Sequence, residues 1–196
     1  AKNLSDSGVN VMIGLNKTSK SWNLVEKDNL IPIDIESGVS KADIISILIP
    51  DEIMSMVYLE KIEPYLKKKQ VILFSHGYNI NYGKIVPPKN LDIIMVAPSG
   101  AGKIVRESFI KNSGVPNLIA INQNFSGNAL EIALSYSKAI GGTRAGSILS
   151  TFKEETETDL FGEQVVLCGG IPKLIETAFN VLVNAGYQPI VAWHVC

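Results

Sequence analysis

Asp159 and Glu163 lie four residues apart in Asp159-Leu160-Phe161-Gly162-Glu163-Gln164, inside a helical pattern. Residues at that spacing share a helix face, with Cβ atoms about 5–6 Å apart. Two carboxylates so placed suit a hard cation such as Mg²⁺, which takes oxygen ligands and keeps several waters. The surrounding run Glu154, Glu155, Glu157, Asp159, Glu163 also fits a solvated acidic face, and spacing alone favours that plainer reading. His76, in Ser75-His76-Gly77, follows the apolar run Val71–Phe74. Open α/β sheets bind ligands at the carboxyl ends of their strands. A histidine there can relay a proton or orient water; it can equally just satisfy loop carbonyls.

Two further loops follow apolar runs. Asn16-Lys17-Thr18-Ser19-Lys20-Ser21 comes after the expected strand Val9–Gly14 and holds two lysines, three hydroxyls and no carboxylate. In a dinucleotide fold the loop after the second strand meets the adenosine ribose. An acid there selects NAD, whereas cations and hydroxyls suit the 2′-phosphate of NADP. A polar surface loop is the alternative. Pro50-Asp51-Glu52 follows Ile44–Ile49, and Asp51 is expected to cap the next helix.

The elements that must position these residues alternate. Ile44–Ile49, Val71–Phe74, Ile93–Val96 and Leu118–Ile121 are short runs, apolar on both faces, as in parallel strands covered on both sides. Helical patterns at Ser21–Asn29, Ile53–Leu66 and Gly102–Lys111 lie between them. The fold class is therefore α/β, a doubly wound and mostly parallel sheet. Ala1–Gly8 reads as the last turns of a helix with Gly8 at its end, and no strand with a GxGxxG turn precedes it. Beyond residue 125 helices dominate: Ser126–Ile140 stopped by Gly141-Gly142, Glu154–Leu167 stopped by Gly169-Gly170, and Lys173–Ala185 closed by Gly186.

Composition narrows the classes. Of 196 residues 46% are hydrophobic and 19% charged, as in a protein with a buried core. A net charge of -1 leaves no basic excess for a nucleic-acid partner. Lys67-Lys68-Lys69 reads as a solvated turn. No unbroken apolar run approaches the roughly 20 residues that span a bilayer, so no membrane is expected. Cys168 and Cys196 carry no metal-ligand spacing, Cys168 is expected to be a small buried hydrophobe, and a reducing compartment is the simpler inference, with a cytoplasmic location expected, or an organellar one in a eukaryote.

Several segments together resemble one family, ketol-acid reductoisomerase. Lys17-Thr18-Ser19-Lys20-Ser21-Trp22, Leu48-Ile49-Pro50-Asp51-Glu52, Ser75-His76-Gly77-Tyr78-Asn79-Ile80, Ile85-Val86-Pro87-Pro88, Asp92–Pro98 and Gly141–Gly146 carry the resemblance. The run Thr151–Gly170, TFKEETETDLFGEQVVLCGG, is the most specific. The resemblance implies a Rossmann-like NADP-binding domain over 1–150, lacking its first strand and glycine-rich turn, and the start of a knotted helical domain over 151–196. It implies Mg²⁺-dependent alkyl migration and NADPH reduction of 2-acetohydroxy acids in valine, isoleucine and leucine biosynthesis. Asp159 and Glu163 would then be metal ligands and His76 an active-site residue. Lys17, Ser19 and Ser21 would meet the 2′-phosphate, and Pro50 and Asp51 would line the cofactor cleft. A homo-oligomer is compatible with the resemblance.

Three positions depart from the family pattern. Asn16 replaces an arginine common in the family, Ser99 replaces its active-site lysine, and Val195 falls where the next metal-binding glutamate belongs. Ser99 and Val195 favour a non-catalytic remnant of the fold as the alternative. A different NADP-dependent reductase is a third reading, disfavoured by the intact carboxylate pair.

Overall fold

The structure, a computed structural model, describes residues 1–196. In chain order the first elements are α1 (Lys2–Asp6), β1 (Met12–Leu15), α2 (Trp22–Lys27), β2 (Ile31–Asp34), α3 (Ile35–Lys41), β3 (Ile44–Ile47) and α4 (Asp51–Val57). Then come β4 (Val71–Phe74), α5 (Tyr78–Asn81), β5 (Asp92–Pro98), α6 (Gly102–Ile110), β6 (Asn117–Gln123), α7 (Ala129–Ile140) and β7 (Ser147–Leu149). Three helices finish the chain: α8 (Phe152–Gly162), α9 (Gly170–Asn184) and α10 (Pro189–Val195). The chain divides into two compact units, Ala1–Glu155 and Thr156–Cys196.

In the first unit β1 and β2 pair in parallel, and β3-β4-β5-β6-β7 form a separate sheet in that order. All pairs in the larger sheet are parallel except β5 with β6, which run antiparallel. A cleft of about 660 Å³ is walled by Ile13 and Val25 on one side and by Leu48, Ser75 and Val96 on the other.

The apolar runs become strands because both their faces are covered. Ile72 and Phe74 of β4, with Ile93 and Met95 of β5, pack against Met54, Tyr58 and Ile62. The alternate residues Val71, Leu73, Ile94 and Val96 pack against Ala129 and Ala133 of α7. Each fully buried aliphatic side chain of this kind stabilises the fold by about 1.5–3 kcal/mol. A polar staple fixes the start of β5: buried Asp92 accepts from the Ser126 amide at 2.8 Å and its hydroxyl at 2.5 Å. Gly8, at φ 82°, follows α1 as expected, and the lysine run 67–69 is exposed in a turn.

Several expectations need correction. β2, β7, α3 and α10 went unanticipated, because each is short and lacks a clear apolar period. Cys168 is exposed, not buried, since it lies at the turn leading to α9, where Val165, Val166 and Leu167 are exposed as well. The helical stretch Phe152–Asn184 is long and apolar enough to cross a membrane, with a mean hydropathy of 1.5 over 18 residues. Lys173 and Glu176 interrupt its apolar residues and pair at 3.0 Å, which is why no unbroken run stands out in the sequence. Length and composition are weak grounds for a membrane span, and a core helix passes the same test.

The C-terminal end of α7 gives a sharp stability test. Gly141, at φ 92°, ends the helix in the left-handed conformation that glycine adopts most readily. A Cβ on the next residue, Gly142, would sit 1.7 Å from Asn117 Nδ2, which donates to Ser137 Oγ at 2.9 Å. Gly142→Ala is expected to destabilise the protein by roughly 1–3 kcal/mol in denaturant unfolding, as overpacking does. Gly102→Ala, whose added Cβ meets nothing within 4 Å, is the control and is expected to stay near the parent.

Candidate active site

The loops after β3, β4 and β5 converge on the cleft through Leu48, Ser75, Pro98 and Gly100. Phe74, the last residue of β4, packs edge-on against Phe152 of α8, with ring centroids 6.2 Å apart. Residues three apart share a helix face, so anchoring Phe152 brings Glu155 over the carboxyl end of β4. Glu155 is 4% exposed. One carboxylate oxygen, Oε1, lies 2.8 Å from His76 Nδ1, and the other, Oε2, accepts from the Gly77 amide at 2.7 Å. The His76 ring also stacks on Tyr78, centroids 6.4 Å apart and 16° from parallel.

One turn further along the loop, Asn79 ties this region to α4. Its side chain is 1% exposed, and Nδ2 donates to Asp51 Oδ1 at 2.8 Å and to the Asp51 carbonyl at 3.3 Å. Asp51 is thus not the cap that the sequence predicts. Pro50 occupies the N-cap position without a side-chain bond, and Asp51 is the first helical residue, turned toward Asn79. Burial raises the Asp51 pKa above its ordinary value; His76 and the Asn79 bond oppose that shift, while Glu52 and Glu155 reinforce it.

The loop after β1 is closed by its own groups. The Asn16 carbonyl accepts from the Ser19 amide at 2.9 Å and from the Trp22 indole at 2.9 Å, and Ser19 Oγ accepts from the Ser21 amide at 3.2 Å. Lys17 is exposed, whereas Ser19 and Ser21 are half-buried. Asp34, at the end of β2, accepts from the Ser37 amide at 3.1 Å. Those Ser37 bonds, with the charge of Lys17, hold its carboxyl below the usual range.

Asp159 and Glu163 belong to the second unit. Asp159 lies in α8, one helical turn along from Glu155, and Glu163 opens the single wide turn Glu163–Leu167 that follows α8. Both are exposed. Their carboxylates supply the hard oxygen donors a Mg²⁺ ion takes. The structure thus brings His76 and Asp51 into one polar cluster in the first unit, with Pro50 at its edge. The loop carrying Lys17, Ser19 and Ser21 is built separately after β1. Glu155 and Asn79 escape the sequence reading; Glu155 sits in an acidic run that looks solvated, and its spacing from the apolar Phe152 was the available signal.

A doubly wound sheet with a cleft beside it and a hydroxyl- and lysine-bearing loop after β1 defines a dinucleotide-binding α/β protein. The fold is shared at 16% identity with the semialdehyde dehydrogenase NAD-binding protein of Cupriavidus necator, at a TM-score of 0.77 covering 99% of this chain and 72% of that one. Residues 1–146 match the family described as acetohydroxy acid isomeroreductase, NADPH-binding domain, and residues 152–196 match the ketol-acid reductoisomerase C-terminal domain. The chain belongs to the ketol-acid reductoisomerase family. It is 54% identical over 196 residues to the ketol-acid reductoisomerase (NADP(+)) of Petrotoga mobilis, covering 100% of this chain and 59% of that one. It is 53% identical over 194 residues to that of Sulfurisphaera tokodaii, covering 99% of this chain and 58% of that one. A solved NADH-preferring ketol-acid reductoisomerase from an uncultured archean superposes with a TM-score of 0.95 at 43% identity, covering 100% of this chain and 61% of that one. The chain thus spans about three-fifths of the curated relatives it matches.

Asp51 gives a pH test. A carboxyl whose pKa is raised by folding stabilises the folded state below its unfolded pKa. That contribution is lost as pH rises through the folded pKa. Asp51→Asn keeps an acceptor for Asn79 and removes the half-buried charge. The variant is expected to match the parent in acid and to gain stability relative to it toward neutral pH, read from thermal unfolding across that range.

Proposed function

We propose that this chain carries the NADPH-binding and part of the metal-binding machinery of a ketol-acid reductoisomerase acting on 2-acetohydroxy acids such as 2-acetolactate and 2-aceto-2-hydroxybutyrate. The observation that carries the proposal is the pairing of His76 with the buried Glu155 carboxylate at the carboxyl end of β4. Asp159 and Glu163 hold Mg²⁺, and His76 holds or accepts a proton beside the substrate. Lys17, Ser19 and Ser21 bind the 2′-phosphate of NADP(H), while Pro50 and Asp51 line the cofactor cleft. When bound, Mg²⁺ supplies Lewis acidity for the alkyl migration and NADPH supplies the hydride. Cytoplasmic location, absence of membrane and nucleic-acid partners, and assembly as a homo-oligomer complete the proposal.

A second reading, a binding-competent but non-catalytic form, draws on Ser99 and Val195. Ser99 lies at the carboxyl end of β5, its amide bonded to the Pro116 carbonyl at 2.9 Å. A hydroxyl there carries no charge to stabilise a developing oxyanion.

Calorimetry and turnover separate the two. NADPH is expected to bind at least about tenfold tighter than NADH, equivalent to about 1.4 kcal/mol. Combining Lys17→Ala with Ser19→Ala should erase that preference. Equal affinities in the parent would remove the phosphate-loop assignment. NADPH oxidation with 2-acetolactate is expected to be slow, to require Mg²⁺ and to disappear in Asp159→Asn. Tight NADPH binding with no turnover at any Mg²⁺ concentration would favour the second reading.

A further inference from the structure

We infer that Asp34 is a specificity-determining residue for the loop after β1, an anion set beside Lys17 that opposes the 2′-phosphate of NADP(H). The inference rests on the proposed role of Lys17, Ser19 and Ser21, and it names the group that holds their phosphate affinity down. The placement follows from the strands. β1 and β2 pair in parallel with Leu15 opposite Asp34, and both strands end at that pair. Paired strands lie about 4.7–4.9 Å apart. Lys17 comes two residues after Leu15, so the two strand ends deliver Lys17 and Asp34 to one edge. The start of α3 is pressed against the same stretch of β1: a Cβ on Gly14 would lie 3.7 Å from the Ile35 Cα.

Asp34 is held in place but keeps its charge. It is the N-cap of α3, where Oδ1 accepts from the Ser37 amide. An uncharged donor satisfies the oxygen and leaves the negative charge standing. The Ser37 bonds, and after them the charge of Lys17, keep the carboxyl ionised well into acid. Glu36, the next acid along, is bound to Lys61 at 2.6 Å, so Asp34 is the carboxylate turned to the loop. An acid beside the adenosine ribose suits a bare 2′-hydroxyl and disfavours a 2′-phosphate, because like charges a few ångströms apart repel. Lys17 and Lys20 are the cations of the loop, and Asn16 adds none. An anion set against one of two cations changes phosphate affinity measurably.

Asp34→Asn removes the charge and retains the cap, since asparagine caps helices as well as aspartate does. Asp34→Ser is a second uncharged cap, so the inference does not hang on the folding of one variant. Calorimetric titration with NADPH and with NADH reads it without turnover. NADPH is expected to bind about two- to fivefold tighter in both variants, the scale of an exposed charge pair, with NADH unchanged. The gain should fade at about 1 M salt, where the screening length falls to roughly 3 Å; a purely structural effect of the substitution would not fade. An unchanged or weakened NADPH affinity, or an equal gain for both nucleotides, would overturn the inference. Lys17→Ala separates it from the reading beneath it. If Lys17→Ala weakens NADPH binding and neither Asp34 variant strengthens it, the inference alone fails. If Lys17→Ala leaves NADPH binding untouched, the phosphate-loop assignment fails and the inference falls with it.

Discussion

Burial of the Glu155 carboxylate at the carboxyl end of β4 is the constraint around which the polar region is arranged. A carboxylate out of water must be met by donors whose geometry is fixed, since leaving it unmatched costs several kcal/mol. The Ser75–Gly77 loop provides them, a ring nitrogen and a backbone amide. That loop can turn sharply at this point because β4 ends at Phe74, whose ring is already committed to Phe152. Apolar packing places the helix, and the helix places the charge. The charge then fixes the loop. The direction of causation runs from the core outward, so the histidine inherits its rigidity from the sheet.

The same logic explains why Asp51 and Asn79 pair across α4 and α5. Asn79 is buried and offers two donors, while the start of α4 offers a carbonyl and a carboxylate in reach. Its own amide oxygen has no partner, a cost of about 1–3 kcal/mol in ordinary cores. Fully buried β4 and β5, with Val71, Leu73, Ile94 and Val96 on one face alone, outweigh a cost of that size. A polar cluster of this kind is affordable only where the sheet beneath it is complete on both faces.

Much of this was legible in the sequence, for reasons that differ by residue. Val71–Phe74 and Ile93–Val96 are apolar at every position, a pattern that only a doubly covered strand explains. Strand direction is invisible in such a run, so Leu118–Ile121 gave no hint that β6 would run against β5. His76 stood out because it ends a run. Asp51 was misread because a carboxylate at a helix start has two competing partners, the local amides and a distant Asn79, and only the fold says which is nearer. Glu155 was hidden by composition: in Lys153–Glu157 one face is buried and the others are wet, and a run of acids masks that periodicity. Lys17, Ser19 and Ser21 were visible because a loop without carboxylates after a strand is informative by residue type alone.

The loop after β1, proposed above to meet a phosphate, shows how a departure from the family pattern can be local. An arginine at position 16 would offer a bidentate partner to a phosphate, and Asn16 does not. The loop itself, however, is folded around the Asn16 carbonyl, which takes hydrogen bonds from the Ser19 amide and the Trp22 indole. A carbonyl is indifferent to the side chain it carries. The substitution therefore removes one contact to a ligand without removing the turn that presents the others. Ser19 and Ser21 remain linked through Oγ and amide, and Lys17 remains exposed beside them. If the loop binds a phosphate as proposed, the consequence is an affinity weakened by one partner with the loop geometry retained, which distinguishes an altered cofactor preference from a collapsed site.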